Sequence, residues 1–181
     1  MLPELSLNVL DIAQNSIKAG ATLVEIEVSR KTDEDLLTIT INDNGCGMDA
    51  EQLEHVIDPF FTSRSTRKIG LGVPFLKQAA EASGGSFAIS SEVNVGTRVT
   101  AAFHTDHIDC MPLGDINSTI FSLVTTNDNL DFVYTYRVDA KEFTLDTREI
   151  REILGDVSFQ AGEVSSFLRE YLSENQLEVE Q

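Results

Sequence analysis

Asp11, Asn15 and Lys18 stand at i, i+4 and i+7 in a segment whose other residues are largely apolar. On a helix they would share one stripe. A carboxylate, an amide and an ammonium there could form the solvent face. They also suit a metal-bound polyphosphate. Asn15 could give an amide oxygen to Mg²⁺, which takes oxygen ligands and keeps several waters. Lys18 could meet phosphate charge, and Asp11 could orient or deprotonate an attacking water or hydroxyl. The loop Asp43-Asn44-Gly45-Cys46-Gly47-Met48 follows a strand pattern. Its glycines let the backbone turn sharply and approach a ligand, and Asp43 at the strand end could accept the exocyclic amine of adenine. Taken alone, the same run is a common turn sequence. From Pro59 to Ala80 there is no acidic residue, and Arg64, Arg67 and Lys68 cluster there, an electropositive island suited to an anion. Gly70 and Gly72 precede a helical pattern, where free N–H groups bind phosphate. Gly96-Thr97 enters a later strand, from which a hydroxyl could reach back toward Asp43.

The elements that must position these residues are legible in outline. Apolar spacing predicts a helix over 5–19, stopped by Gly20. Alternation predicts strands over 22–30 and 36–42, joined as a hairpin. A short helix over 49–56, an irregular stretch over 57–70, a helix over 72–83 and strands over 86–91 and 96–104 complete the first part. Met111 to Gly114 reads as a joint. Beyond it the sequence predicts a helix over 115–125, a hairpin of 130–138 with 141–146, and an N-cap at Asp146 with Glu149 placed for a capping box. Val164, Phe167, Leu168, Tyr171 and Leu172 mark an amphipathic helix, and residues 173–181 are expected to fray.

The chain has 181 residues with net charge −17, divided as −6 over 1–104 and −11 over 105–181. That charge repels phosphate backbones and argues against nucleic-acid binding. It serves as a solvated surface or as a docking face for a basic partner. No run approaches the roughly eighteen apolar residues of a membrane span, and the first basic residue is Lys18, so no signal peptide is read and a cytoplasmic location is expected. Cys46 and Cys110 are too few for a disulfide framework and are expected as free thiols. His104, His107 and Cys110 form a spacing that invites zinc, but a fourth ligand is not evident. A strand end running into a linker is the expected reading.

The order and spacing of these pieces resemble the boxes of the GHKL (Bergerat) ATPase superfamily: DIAQNSIKAGAT (11–22) an N-box, DNGCGM (43–48) a G1 box, DPFFTSR (58–64) an F-box opening a lid, GLGVP (70–74) a G2 box and GT (96–97) a G3 box. The resemblance covers about residues 5–104. It implies an α/β two-layer sandwich with a mixed, mostly antiparallel sheet and helices on one face. Residues 1–104 would be the ATP-binding domain, and 105–181 an acidic α+β extension. It implies ATP and Mg²⁺ as cofactors, with Asn15 the metal ligand and Lys18 a phosphate contact. Asp43, Gly47 and Thr97 would bind adenine. Arg64 and Lys68 would belong to the lid, and Gly70, Leu71 and Gly72 would give N–H groups to the phosphates. Gly45, Met48, Thr62, Ser63 and Val73 complete the implied nucleotide contacts, and Asp11 takes the catalytic acid/base position.

Two departures separate the chain from the ATP-hydrolysing branches: Asp11 replaces Glu, and the lid is short. The segment 11–48 resembles MutL, and the segment 59–103 resembles histidine kinase ATP domains. The N-box begins near residue 11, which leaves no room for a preceding phosphoacceptor helix pair, so autophosphorylation on histidine is not expected. The chain also resembles small ATP-binding proteins of anaerobic bacteria, some encoded near iron-only hydrogenase genes. These resemblances imply a regulatory kinase of the anti-sigma-factor type or a slow ATPase. The alternative is an ATP-gated module that engages a protein partner through the lid or the acidic C-terminal part.

Overall fold

The computed structural model describes residues 3–58 and 71–181. Helix α1 (Leu5–Lys18) opens the chain, followed by strands β1 (Leu23–Lys31) and β2 (Leu36–Asp43). Helices α2 (Ala50–Ile57) and α3 (Gly72–Ala82) come next, then β3 (Ser86–Glu92) and β4 (Gly96–His104). Helix α4 (Ile116–Thr126), strands β5 (Asp131–Val138) and β6 (Lys141–Asp146), and helices α5 (Thr147–Leu154) and α6 (Gly162–Glu180) complete it. The six strands form one sheet in the order β3-β4-β2-β1-β5-β6, antiparallel throughout except for the parallel pair β1–β5.

Strand periodicity sets the layers. Val24, Ile26 and Val28 stand in register with Asp43, Ile41 and Ile39 of β2 and with Phe132, Tyr134 and Tyr136 of β5. All of these are buried. Because side chains alternate, one face carries this apolar row and packs under α1, α3, α4 and α6. The other face carries Glu25, Thr38, Thr40, Asn42, Arg98, Thr100 and Thr135. The result is a two-layer sandwich with a mixed, mostly antiparallel sheet, as the sequence predicts.

The segment beyond residue 104 is built into this sheet. The Pro112 and Leu113 carbonyls accept the Leu5 and Ser6 N–H groups at 2.9 and 2.8 Å, filling two of the positions that a helix N-terminus leaves open. Thr119 of α4 donates to the Ser6 carbonyl at 3.2 Å. Asp146 caps α5, but through the Arg148 N–H at 2.9 Å, and its carboxylate also pairs with the Arg148 guanidinium at 2.8 Å. No bond closes the box expected from Glu149; a capping box forms instead between Asp49 and Gln52 at α2. The C-terminal residues do not fray. Helix α6 runs to Glu180, Val179 continues the buried stripe of Leu168 and Leu172, and Glu180 accepts the Tyr136 hydroxyl at 2.7 Å. One buried residue in two turns holds this stretch, too sparse a pattern to read as amphipathic.

Candidate functional site

Asp43 ends β2 on the helix-covered face and is buried. Its carboxylate accepts the Ser16 hydroxyl at 2.6 Å and the Gly45 N–H at 2.9 Å. A carboxylate offers about four lone-pair sites, so it keeps capacity for a further donor. Thr97 lies directly opposite on β4. The Thr97 hydroxyl is 2.8 Å from that of Ser91, which also lies 3.0 Å from the Gly96 carbonyl and accepts the Met48 N–H at 2.8 Å. Ser91 has one proton; given to Gly96, it leaves Thr97 as the donor in their pair.

The loop after β2 is anchored on three sides. The Cys46 N–H donates to the Ala19 carbonyl at 2.9 Å, and the Asn94 N–H donates to the Cys46 carbonyl at 2.7 Å. The Asn44 side chain accepts the Thr22 and Leu23 N–H groups at 2.8 and 3.0 Å and donates to the Thr22 hydroxyl at 2.8 Å. Gly47 adopts φ +67°, and a Cβ there would lie 2.0 Å from the Glu92 carbonyl oxygen. The end of α1, the loop 43–48 and the turn before β4 therefore form one bonded unit.

Asp11 and Lys18 are exposed and Asn15 is half-buried on α1. None of the three side chains forms a hydrogen bond or ion pair among the described residues. The start of α3 abuts this stripe: a Cβ on Gly72 would stand 2.9 Å from the Asp11 Cβ. Leu71 caps α3 without a side-chain bond, and the Gly72 and Val73 N–H groups of its first turn have no intrahelical partner. Pro74 removes the next donor.

The structure thus gathers Asp43, Gly45, Gly47, Met48 and Thr97 at the strand ends, and brings Gly72, at the start of α3, against Asp11, midway along α1. Leu71 is exposed, and Val73 is buried beneath the first turn of α3. Thr62, Ser63, Arg64, Lys68 and Gly70 lie outside the described residues, as does the lid expected to hold Arg64 and Lys68. His107 accepts the Asp109 N–H at 3.1 Å, and Cys110, its thiol pKa raised by burial, donates to the Met111 carbonyl at 3.4 Å. Among the described residues no three metal-ligating side chains gather. Both cysteines are free thiols.

Sequence reasoning missed Ser16 and Ser91. Ser16 shares the stripe of Leu5, Val9 and Ile12, and a hydroxyl on an otherwise apolar face was the available signal. Nothing in the local pattern distinguishes Ser91.

This chain belongs to the histidine kinase-, DNA gyrase B- and HSP90-like ATPase family, whose profile matches residues 3–107. It is 29% identical over 93 residues to the sensor histidine kinase YvrG of Bacillus subtilis, covering 49% of this chain and 16% of that one. It is 28% identical over 108 residues to the histidine protein kinase SaeS of Staphylococcus aureus, covering 57% and 30%. The chain thus spans less than a third of these relatives. In fold it is similar to the Aquifex aeolicus MutL ATPase domain complexed with ADP, with TM-score 0.50 and 17% identity over 85% of this chain and 70% of that one. It is also similar to the N-terminal domain of a DNA repair protein, with TM-score 0.55 and 15% identity over 86% and 58%. Among the described residues no helix is long and apolar enough to cross a membrane.

Proposed function

We propose that this protein binds ATP with Mg²⁺ between the strand ends at Asp43 and Thr97 and the helix ends at Asn15 and Gly72. It acts there as a cytoplasmic regulatory kinase of the anti-sigma-factor type, phosphorylating a protein partner, or as a slow ATPase. The observation that carries this reading is the buried Asp43 carboxylate, fixed by Ser16 and Gly45 opposite Thr97 and still able to accept a donor. An adenine amine meets that requirement. Gly45 and Gly72 let the elements around this site pack closely, since side chains there would run into Ala19 or Asp11.

When bound, ATP supplies the transferable phosphoryl group and Mg²⁺ neutralises its charge. The chain's own residues bind, orient and move the proton. Asn15 offers its free amide oxygen to the cation, Lys18 meets phosphate charge, and the Gly72 and Val73 N–H groups receive phosphate oxygens. Asp11 takes the proton of the attacking hydroxyl as the new P–O bond forms and the bond to ADP breaks. On this reading residues 1–104 are the nucleotide unit, and the acidic residues 105–181 or the lid meet the partner. A second reading, an ATP-gated module with little turnover, draws on Asp11, which reaches one methylene less far than Glu.

The test incubates the protein and its Asn15→Ala variant with γ-labelled ATP, Mg²⁺ and host lysate. A labelled partner band that requires Asn15 supports the kinase, and labelled free phosphate alone supports the ATPase. Neither product, alongside tight ATP binding, supports the gated module; absence of ATP binding sinks all three.

A further inference from the structure

The two faces of the sheet differ in chemistry at the same strand ends. Asp43 and Thr97 face the helices, and their neighbours Asn42 and Arg98, paired in register, face the other way. Glu25 stands opposite Asn42, and Ser90 opposite Arg98. This row lines a concavity of about 440 Å³, closed further by Leu23 and Glu92, and no lining residue comes from a helix. Asp43, Ser91, Gly96 and Thr97 also line it, so the concavity adjoins the candidate nucleotide site at the strand ends, while Glu25, Asn42 and Arg98 stand on the opposite face of the sheet. Its volume falls among those of small-molecule pockets.

The charges define what would fit. Glu25 accepts the Asn42 amide N–H at 2.8 Å, so the Asn42 oxygen is left as the acceptor of that side chain. The side chains of Glu92 and Arg98 form no hydrogen bond or ion pair among the described residues. Two carboxylates and one guanidinium thus line one pocket without pairing with one another. An anion would meet Arg98 but face both acids, whereas a simple diamine would leave the guanidinium unmatched. A molecule with one carboxylate and two cationic groups on an aliphatic stem matches all three. We propose that this concavity binds a free basic amino acid, arginine or lysine. Its carboxylate forks onto the Arg98 guanidinium, its two cationic groups lie toward Glu25 and Glu92, and its stem lies along Leu23.

The test needs no nucleotide. The full chain is titrated with L-arginine, L-lysine, L-glutamate and the diamine cadaverine, and the backbone amide NMR signals of Asn42, Ser90 and Arg98 are followed. The proposal expects arginine or lysine to saturate these signals at about millimolar concentration or below. It expects glutamate and cadaverine to bind at least about tenfold more weakly, and Arg98→Ala to weaken the basic amino acid by about tenfold or more. Arg98 is exposed, so this variant retains the fold, and the overall amide spectrum checks that. Asn15→Ala should bind the amino acid as wild type does, because Asn15 does not line the concavity, which separates this site from the ATP reading. The proposal is overturned if neither basic amino acid saturates below about 10 mM, if Arg98→Ala leaves the affinity unchanged, or if glutamate or cadaverine binds equally well.

Discussion

Asp43 combines three properties seldom found in one carboxylate: burial, two fixed donors, and spare acceptor capacity facing the helix layer. Replacing it with Asn keeps the shape but puts an NH₂ group where one oxygen accepted a donor. Asp43→Asn is expected to leave the fold intact and to weaken ATP binding by about tenfold to a hundredfold, the worth of a hydrogen bond to a charged group; calorimetric titration measures it. Asp11 makes no bond that the fold depends on, so Asp11→Asn should bind ATP normally while phosphoryl transfer or hydrolysis falls by about a hundredfold or more. Unchanged turnover in that variant would remove Asp11 from the chemistry. At this scale the sequence was informative where chemistry is local. The stripe of Asp11, Asn15 and Lys18 follows from helical geometry, and the glycines of the loop 43–48 follow from its turn. Ser16 was not legible as a partner of Asp43, because 27 residues separate them and only the packing of α1 on the sheet brings them together.

At the scale of elements, the joints are held by caps and by glycines with no room for a side chain. Gly47→Ala would place a Cβ against the Glu92 carbonyl at a positive φ. A loss of about 1–3 kcal/mol is expected, read as a lowered denaturation midpoint. Asp115 and Asp146 cap α4 and α5, and the pKa of each is lowered, Asp115 chiefly by its bonds to Ser118 and Asp146 chiefly by its bond to Arg148. A lowered carboxylate favours the folded state fully above the ordinary carboxylate range and loses that contribution as pH falls through its folded value. Thermal stability should therefore decline on acidification below about pH 4. Asp146→Asn should lose about 1 kcal/mol near neutral pH and show a shallower acid decline, followed by melting temperature against pH. Boundaries were legible wherever strong periodicity met a stop signal, as at Gly20 and at Gly84-Gly85. The last turns of α6 were not, since a lone Val179 and the Tyr136–Glu180 bond are tertiary contacts that a polar sequence does not advertise.

For the whole molecule, β1 joins the matched family region to the rest of the chain. It lies between β2 and β5, so removing residues after 107 would leave its buried row Val24, Ile26 and Val28 on an open edge and uncover the α4 side of α1. A fragment of residues 1–107 is expected to lose cooperative unfolding or to aggregate, as measured by thermal circular dichroism and size-exclusion chromatography. A fragment as stable as the full chain would contradict this. The hairpin of β5 and β6 was legible from alternation, but its parallel docking beside β1 was not, because register between distant strands depends on the whole core. The acid-rich C-terminal part and the net charge of −17 also predict that added duplex DNA leaves ATP turnover unchanged, readable as phosphate release with and without DNA. Adenine recognition by the strand ends at Asp43 and Thr97 is the proposal on which the proposed function depends. Its most direct test is a calorimetric titration of the wild type and Asp43→Asn with ADP and GDP in the presence of Mg²⁺. The wild type is expected to bind ADP saturably and GDP at least about tenfold more weakly, and Asp43→Asn is expected to lose that preference. Equal affinity for the two nucleotides, or an Asp43→Asn variant that binds ADP as tightly as wild type, would contradict that proposal.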